Sequence, residues 1–200
     1  MKNEHLNYFS ASEQSGMRRF GAWKTRVLRP LLALLTWCGF TADAISLLSL
    51  MLVFGIVWTL KEQPAVALCL LILAILLDGV DGALARYQQA ASDRGALLDI
   101  VVDQTSLAII LLALIAFHRV PELWAAWYLV SYIVLIVFLV WLNALGSPVR
   151  IVFRSKYFFF ALLFLDIFTG LKTLPPFLII FAIYNTMICI LLLRRLRCLI

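Results

Sequence analysis

The stretch DGVDGALARYQQAASDRGALLDIVVD, Asp78 to Asp103, decides how the whole chain is read. It holds five of the eleven acidic residues in a 200-residue chain that is 64% hydrophobic. Immediately before it stands PAVALCLLILAILL and immediately after it QTSLAIILLALIAF. Both flanks are continuous apolar runs without alternation, which argues for helices and against a membrane barrel. Each flank joined to its half of the acidic stretch exceeds the roughly 20 residues that a helix needs to cross a bilayer. The stretch therefore reads as the polar bend of a transmembrane helical hairpin.

Working outward, the same pattern repeats. Mean hydropathy of +1.00 and 14% charged residues exclude an ordinary soluble domain. The expected fold class is all-α, a polytopic membrane protein with six transmembrane helices at about 43–60, 65–88, 93–117, 122–145, 149–169 and 177–193. KEQP, HRVP, GSP and LKTLPP fall between them, where helix-breaking Pro and Gly belong. An interfacial helix is expected over 18–40, because Arg18, Arg19, Lys24, Arg26 and Arg29 are interleaved with Phe20, Trp23, Val27 and Leu28. Residues 1–17 read as a mobile N-terminal segment and 18–200 as a single membrane domain. The first 40 residues lack the short apolar core and small-residue cleavage site of a secretory signal.

The net charge of +6 is informative through its placement. With the N-terminus in the cytoplasm and six crossings, 17 basic residues all fall on the cytoplasmic side except Lys61, Arg119 and Lys172. This segregation follows the positive-inside rule, and it puts both termini and the acidic bend on the cytoplasmic face. The partner implied by such charge is the lipid bilayer and not a nucleic acid. Cys38, Cys69, Cys189 and Cys198 show no metal or redox spacing, and His5 and His118 lie far apart.

Within the bend, Asp78 and Asp81 are i and i+3, and Asp99 and Asp103 are i and i+4, so each pair shares a helix face. Positions equidistant from the turn of an antiparallel hairpin lie level, which sets Asp78 against Asp103 and Asp81 against Asp99. The apolar flanks put all four about 10 Å or less inside the cytoplasmic boundary, at 1.5 Å of rise per residue. A single Asp at the centre of a membrane helix costs roughly 2.5 to 3.5 kcal/mol, before mutual repulsion. Arg86 alone cannot neutralise four acids. One or two divalent cations can, and an all-oxygen donor set selects Mg²⁺, Mn²⁺ or Ca²⁺ over zinc. Magnesium keeps positions open for substrate phosphates, which points to phosphate chemistry. Gly82, Ala85 and Gly95 leave room for a ligand near the backbone. Arg86 offers a planar fork for a phosphate, and Ser92 offers a hydroxyl near the start of the third span. Asp93 is accounted for as an acidic residue in a first helical turn.

Asp78, Asp81, Gly82, Ala85, Arg86, Gly95, Asp99 and Asp103 fit the pattern D-x2-D-G-x2-A-R-x8-G-x3-D-x3-D at every position. The chain thereby resembles the CDP-alcohol phosphatidyltransferase family, integral membrane phospholipid synthases. The resemblance implies a CDP-linked lipid donor such as CDP-diacylglycerol, a small alcohol acceptor and release of CMP. It implies Asp78, Asp81 and Asp99 as metal ligands, with Asp103 as general base and a ligand of a second ion. The cofactor would be two ions of Mg²⁺ or Mn²⁺. The CDP moiety would meet Gly82, Ala85, Arg86, Ser92 and Gly95. A second family segment, Pro-Asn/Asp-x-x-Thr-like, is matched in part by Ala42-Asp43-Ala44-Ile45-Ser46, with Pro absent. Asp43 then serves either the nucleotide or a helix N-cap. The resemblance also leaves a homodimer open.

Arg150 and Arg154 share a face at the start of the expected fifth span. They either hold the phosphate of an acceptor such as glycerol 3-phosphate or inositol phosphate, or anchor the helix at the interface. Asp166, toward the other end of that span and close to Lys172 in sequence, is given no chemistry. A divalent-cation transporter is the competing class. Transporters often carry inverted repeats and sites near the midplane, whereas this chain has no evident repeat and its acids sit close to one face.

Overall fold

The computed structural model describes residues 20–147, 149, 152, 153 and 155–198. The segment expected to be mobile, residues 1–17, lies outside the described residues, as do Arg150 and Arg154. Among the described residues there are eight α-helices and no strand. They are α1 (20–27), α2 (Arg29–Trp37), α3 (Ala42–Thr59), α4 (Pro64–Tyr87), α5 (Asp93–Ala116), α6 (Glu122–Ala144), α7 (Lys156–Thr169) and α8 (Leu174–Arg197). Five of them, α3, α4, α5, α6 and α8, are long and apolar enough to cross a membrane.

The boundaries follow local chemistry. The Thr41 hydroxyl caps α3 by accepting the Ala44 N–H at 3.2 Å. The Ser92 hydroxyl caps α5 by accepting the Gly95 N–H at 3.2 Å. Pro64 opens α4, and Pro175 and Pro176 sit in the first turn of α8, where a missing N–H costs no intrahelical bond. That tolerance starts α8 three residues before the expected 177. At its other end α8 runs on to Arg197, because Arg194, Arg195 and Arg197 suit the negative end of the helix dipole.

Two expectations shift. The interfacial helix expected over 18–40 is broken at Leu28 into α1 and α2, with Pro30 in the first turn of α2. The Pro ring cannot follow a helix without clashing with the carbonyl four residues back, so the path bends there. The fifth span, expected over 149–169, begins only at Lys156, and α7 has 14 residues. At 1.5 Å per residue α7 is about 21 Å long, short of a hydrocarbon core of roughly 30 Å. Tertiary hydrogen bonds engage the described residues just ahead of it. Tyr128 and Ser155 share a 2.9 Å hydroxyl–hydroxyl bond, and the Phe153 N–H donates to the Tyr184 hydroxyl at 3.2 Å.

The helices form two groups. α3 packs along α4 and α5, while α6 packs along α8, with α5 meeting α6 and α7 touching both α4 and α8. A continuous apolar core runs through both groups, from Val53, Ile56 and Leu71 to Tyr128, Leu135, Phe159 and Leu178. A smaller core of Leu32, Ile45, Val80, Ala83 and Leu84 seats α2 against α3 and α4. Gln88, at the end of α4, donates to the Phe40 carbonyl at 2.8 Å and to Thr36 Oγ1 at 3.2 Å. Together these contacts hold the α1–α2 pair beside the acidic end of α4.

Candidate active site

α4 and α5 are less closely packed on one another than either is on α3. Their acidic faces therefore look across a narrow cleft instead of meeting backbone to backbone. Ser49 and Val53 of α3 line it, with Ala74 and Asp78 of α4, and Asp103 and Ser106 of α5. The start of α7 closes it with Lys156, Tyr157 and Phe160. The cleft is narrow and open on one side, with room inside for a water or a bare ion.

At its polar end, one carboxylate oxygen from each of Asp78, Asp99 and Asp103 lies within 4.8 Å of the other two. The level pairing read from the hairpin thus brings three of the four acids together. Asp81 is engaged differently. Its carboxylate accepts the Ser46 hydroxyl at 2.6 Å on one oxygen and the Gly82 N–H at 2.6 Å on the other. Ser46 is the residue in the Thr-like position of the partly matched second segment.

The donor set suits a hard divalent cation. Ligands on opposite sides of Mg²⁺ are about 4.2 Å apart, and those on Ca²⁺ about 4.6 to 5.2 Å apart. A 4.8 Å cluster reaches either with side-chain adjustments of a few tenths of an ångström.

Lys156 was not singled out by the sequence, yet it stands at the centre of this group. Its ammonium bonds to Asp103 Oδ1 and lies 3.3 Å from Asp78 Oδ1. Lys156 is only 6% exposed and Asp103 5%, so the pair is shielded from solvent. The ammonium also sits 5.3 Å from the centre of the Tyr157 ring and 5.8 Å from that of Phe160, within cation–π range. The Tyr157 hydroxyl donates to Asp78 Oδ2 at 3.0 Å. A signal for Lys156 existed, because four intramembrane acids demand more positive charge than Arg86 supplies. Nothing in the local pattern said which of the basic residues beyond the bend would provide it.

The other expected residues are not among those lining the cleft. Gly95 is where Asp43 and Ser92 meet: a β-carbon there would stand 3.7 Å from Asp43 Oδ1 and 3.5 Å from Ser92 Oγ. Thr41 being the cap of α3, Asp43 is not that helix's N-cap. Arg86 is exposed, reaches across Gly21 of α1 and sits near Gly82, and its Nε donates to Thr25 Oγ1 at 3.4 Å. Ala85 is partly buried on the same helix end.

Residues 40–193 match the sequence model of a family described as CDP-alcohol phosphatidyltransferase. The chain belongs to the CDP-alcohol phosphatidyltransferase family. The matched region takes in the acidic cluster and the long apolar helices up to residue 193 in α8, but it excludes α1 and α2. Searches of curated proteins and of solved structures found no match. As a member of this family the chain is a membrane transferase of CDP-alcohol chemistry, in which a cluster of aspartates is the expected seat of a divalent metal.

Proposed function

We propose that the protein transfers a phosphatidyl group from a CDP-linked lipid such as CDP-diacylglycerol to a small alcohol, releasing CMP. The observation that carries this reading is the meeting of Asp78, Asp99 and Asp103 oxygens within 4.8 Å, in a chain of this family. Two ions of Mg²⁺ or Mn²⁺ held by Asp78, Asp81, Asp99 and Asp103 would neutralise the charge of the donor diphosphate. The acceptor hydroxyl attacks the phosphorus that bears the lipid. A new P–O bond to the acceptor forms as the P–O bond to CMP breaks, and CMP departs with the bridging oxygen. Asp103 takes the hydroxyl proton, and its pairing with Lys156 fixes the carboxylate that receives it.

The other residues bind and orient. Gly82, Ala85, Arg86, Ser92, Gly95 and Asp43 form the rim that meets the CDP moiety, and Arg150 and Arg154 hold the phosphate of the acceptor. Residues 18–200 work as one membrane unit, with α7 as a short sixth crossing. Both termini and the site then face the cytoplasm, in line with the distribution of basic residues.

Detergent-purified protein supplied with CDP-diacylglycerol and Mg²⁺ tests this against a panel of alcohols that includes glycerol 3-phosphate and inositol phosphate. Metal-dependent CMP release with one acceptor is the expected result. Silence across the panel, joined to Mg²⁺ uptake by vesicles carrying the protein, would favour a transporter instead.

A further inference from the structure

α1 lies outside the family-matched region, yet it delivers a cation to the acidic end of α4. The Lys24 ammonium occupies the space that a β-carbon at residue 79 would need, and its Cε would lie 3.3 Å from that atom. On the same side of α4, Arg86 reaches over Gly21 of α1, its guanidinium carbon 3.3 Å from where a β-carbon there would stand. Gly79 and Gly82 thus form a side-chain-free floor, and Lys24 and Arg86 stand over it.

Two cations are seldom held side by side without an anion. Burial holds the Lys24 ammonium below the usual lysine range, Arg86 adds repulsion, and Asp81 and Asp78 offset this only in part. Among the described residues no hydrogen bond or ion pair holds that ammonium. Its neighbours in charge are the acids that the metal would neutralise. Once they are neutralised, Lys24 and Arg86 form an uncompensated positive trough over Gly79 and Gly82, the residues that directly follow Asp78 and Asp81. A diphosphate set along Gly79 and Gly82 would meet both cations, with no side chain of α4 between.

We propose that Lys24, from the helix ahead of the family-matched region, binds the donor diphosphate together with Arg86. The proposal rests on the CDP-linked donor of the preceding subsection. An ammonium–phosphate hydrogen bond is charge-assisted, and its loss weakens binding roughly tenfold to hundredfold.

The test is calorimetric titration of CDP and of cytidine, with Mg²⁺, into protein reconstituted in neutral-lipid nanodiscs. Lys24→Met should lose roughly ten- to a hundredfold in CDP affinity, with cytidine binding unchanged and Lys24→Arg restoring most of the loss. In turnover the donor KM should rise and the acceptor KM should stay fixed. Gly79→Ala gives a second handle, because its methyl group takes the place of the ammonium. It should weaken CDP binding as Lys24→Met does, and the double variant should be no worse than either single one. CDP affinity within about twofold of wild type in Lys24→Met would overturn the role of Lys24 while leaving the donor reading intact. Failure of the wild-type protein to bind CDP would overturn both.

Discussion

A carboxylate stands at each end of α7, Asp166 of α7 itself and Asp103 of α5 beside Lys156, and the two are treated in opposite ways. At the far end Asp166 is saturated by local donors. It accepts the Thr173 N–H at 2.8 Å, the Thr173 hydroxyl at 2.5 Å and the Leu174 N–H at 3.0 Å. These bonds satisfy the opening of α8 and turn the chain back after the left-handed Gly170. At the near end Asp103 meets one ammonium and two other carboxylates in a shielded cleft. The first arrangement is closed and needs nothing further. The second leaves three acids sharing one lysine, which is an unfinished charge balance in a low-dielectric setting. The difference shows that an intramembrane acid becomes informative when its partners do not exhaust it.

The sharpest way to break the comparison is to remove the acid at the open end. Asp103→Asn should retain helical content and elution behaviour while CMP release falls roughly 10²- to 10⁴-fold, because the acceptor hydroxyl loses its base. Turnover near the wild-type level would remove Asp103 from the chemistry. Next in size is Lys156→Met. Breaking a buried pair leaves an uncompensated charge and costs roughly 3 to 5 kcal/mol. Thermal melts without divalent ions should register the loss, and added Mg²⁺ or Mn²⁺ should raise the variant's Tm more than the wild type's, since the ion supplies the missing charge. Equal shifts in the two proteins would separate Lys156 from the ion site.

Arg154→Ala comes third, with an acceptor KM raised about tenfold and a donor KM little changed, the loss of one charge-assisted bond. Equal changes in both would make Arg154 an interfacial anchor. The smallest effect belongs to the closed end. Asp166→Ala should lower stability by about 1 kcal/mol, as loss of a helix cap does, with kcat unaltered in the same CMP assay. A collapse of activity there would erase the contrast between the ends.

Much of this was legible in the sequence. The five long helices lie close to where apolar runs and Pro or Gly breaks placed them, because backbone satisfaction in lipid leaves few alternatives. Asp78, Asp99 and Asp103 meet because helix periodicity and hairpin symmetry set their register. What escaped depends on contacts distant in the chain. Ser46 draws on Asp81 from 35 residues away, and Lys156 reaches Asp103 across 53. Ahead of α7, the Tyr184 hydroxyl takes the Phe153 N–H that a helix there would have used, at a place the apolar pattern would have made helix. The break at Leu28 did carry a local sign, Pro30, but the long alternation of basic and apolar residues read straight through it.

The Tyr128–Ser155 bond reaches further than its size suggests. Tyr128 is fully enclosed among Tyr132, Phe159 and Phe177, and Ser155 directly precedes the lysine that meets Asp103. That lysine is thereby moored to the half of the bundle built from α6 and α8, while the acids it answers ride on the other half. Any tilt of one half against the other is felt first as a change in how firmly the ammonium is pressed onto its carboxylates.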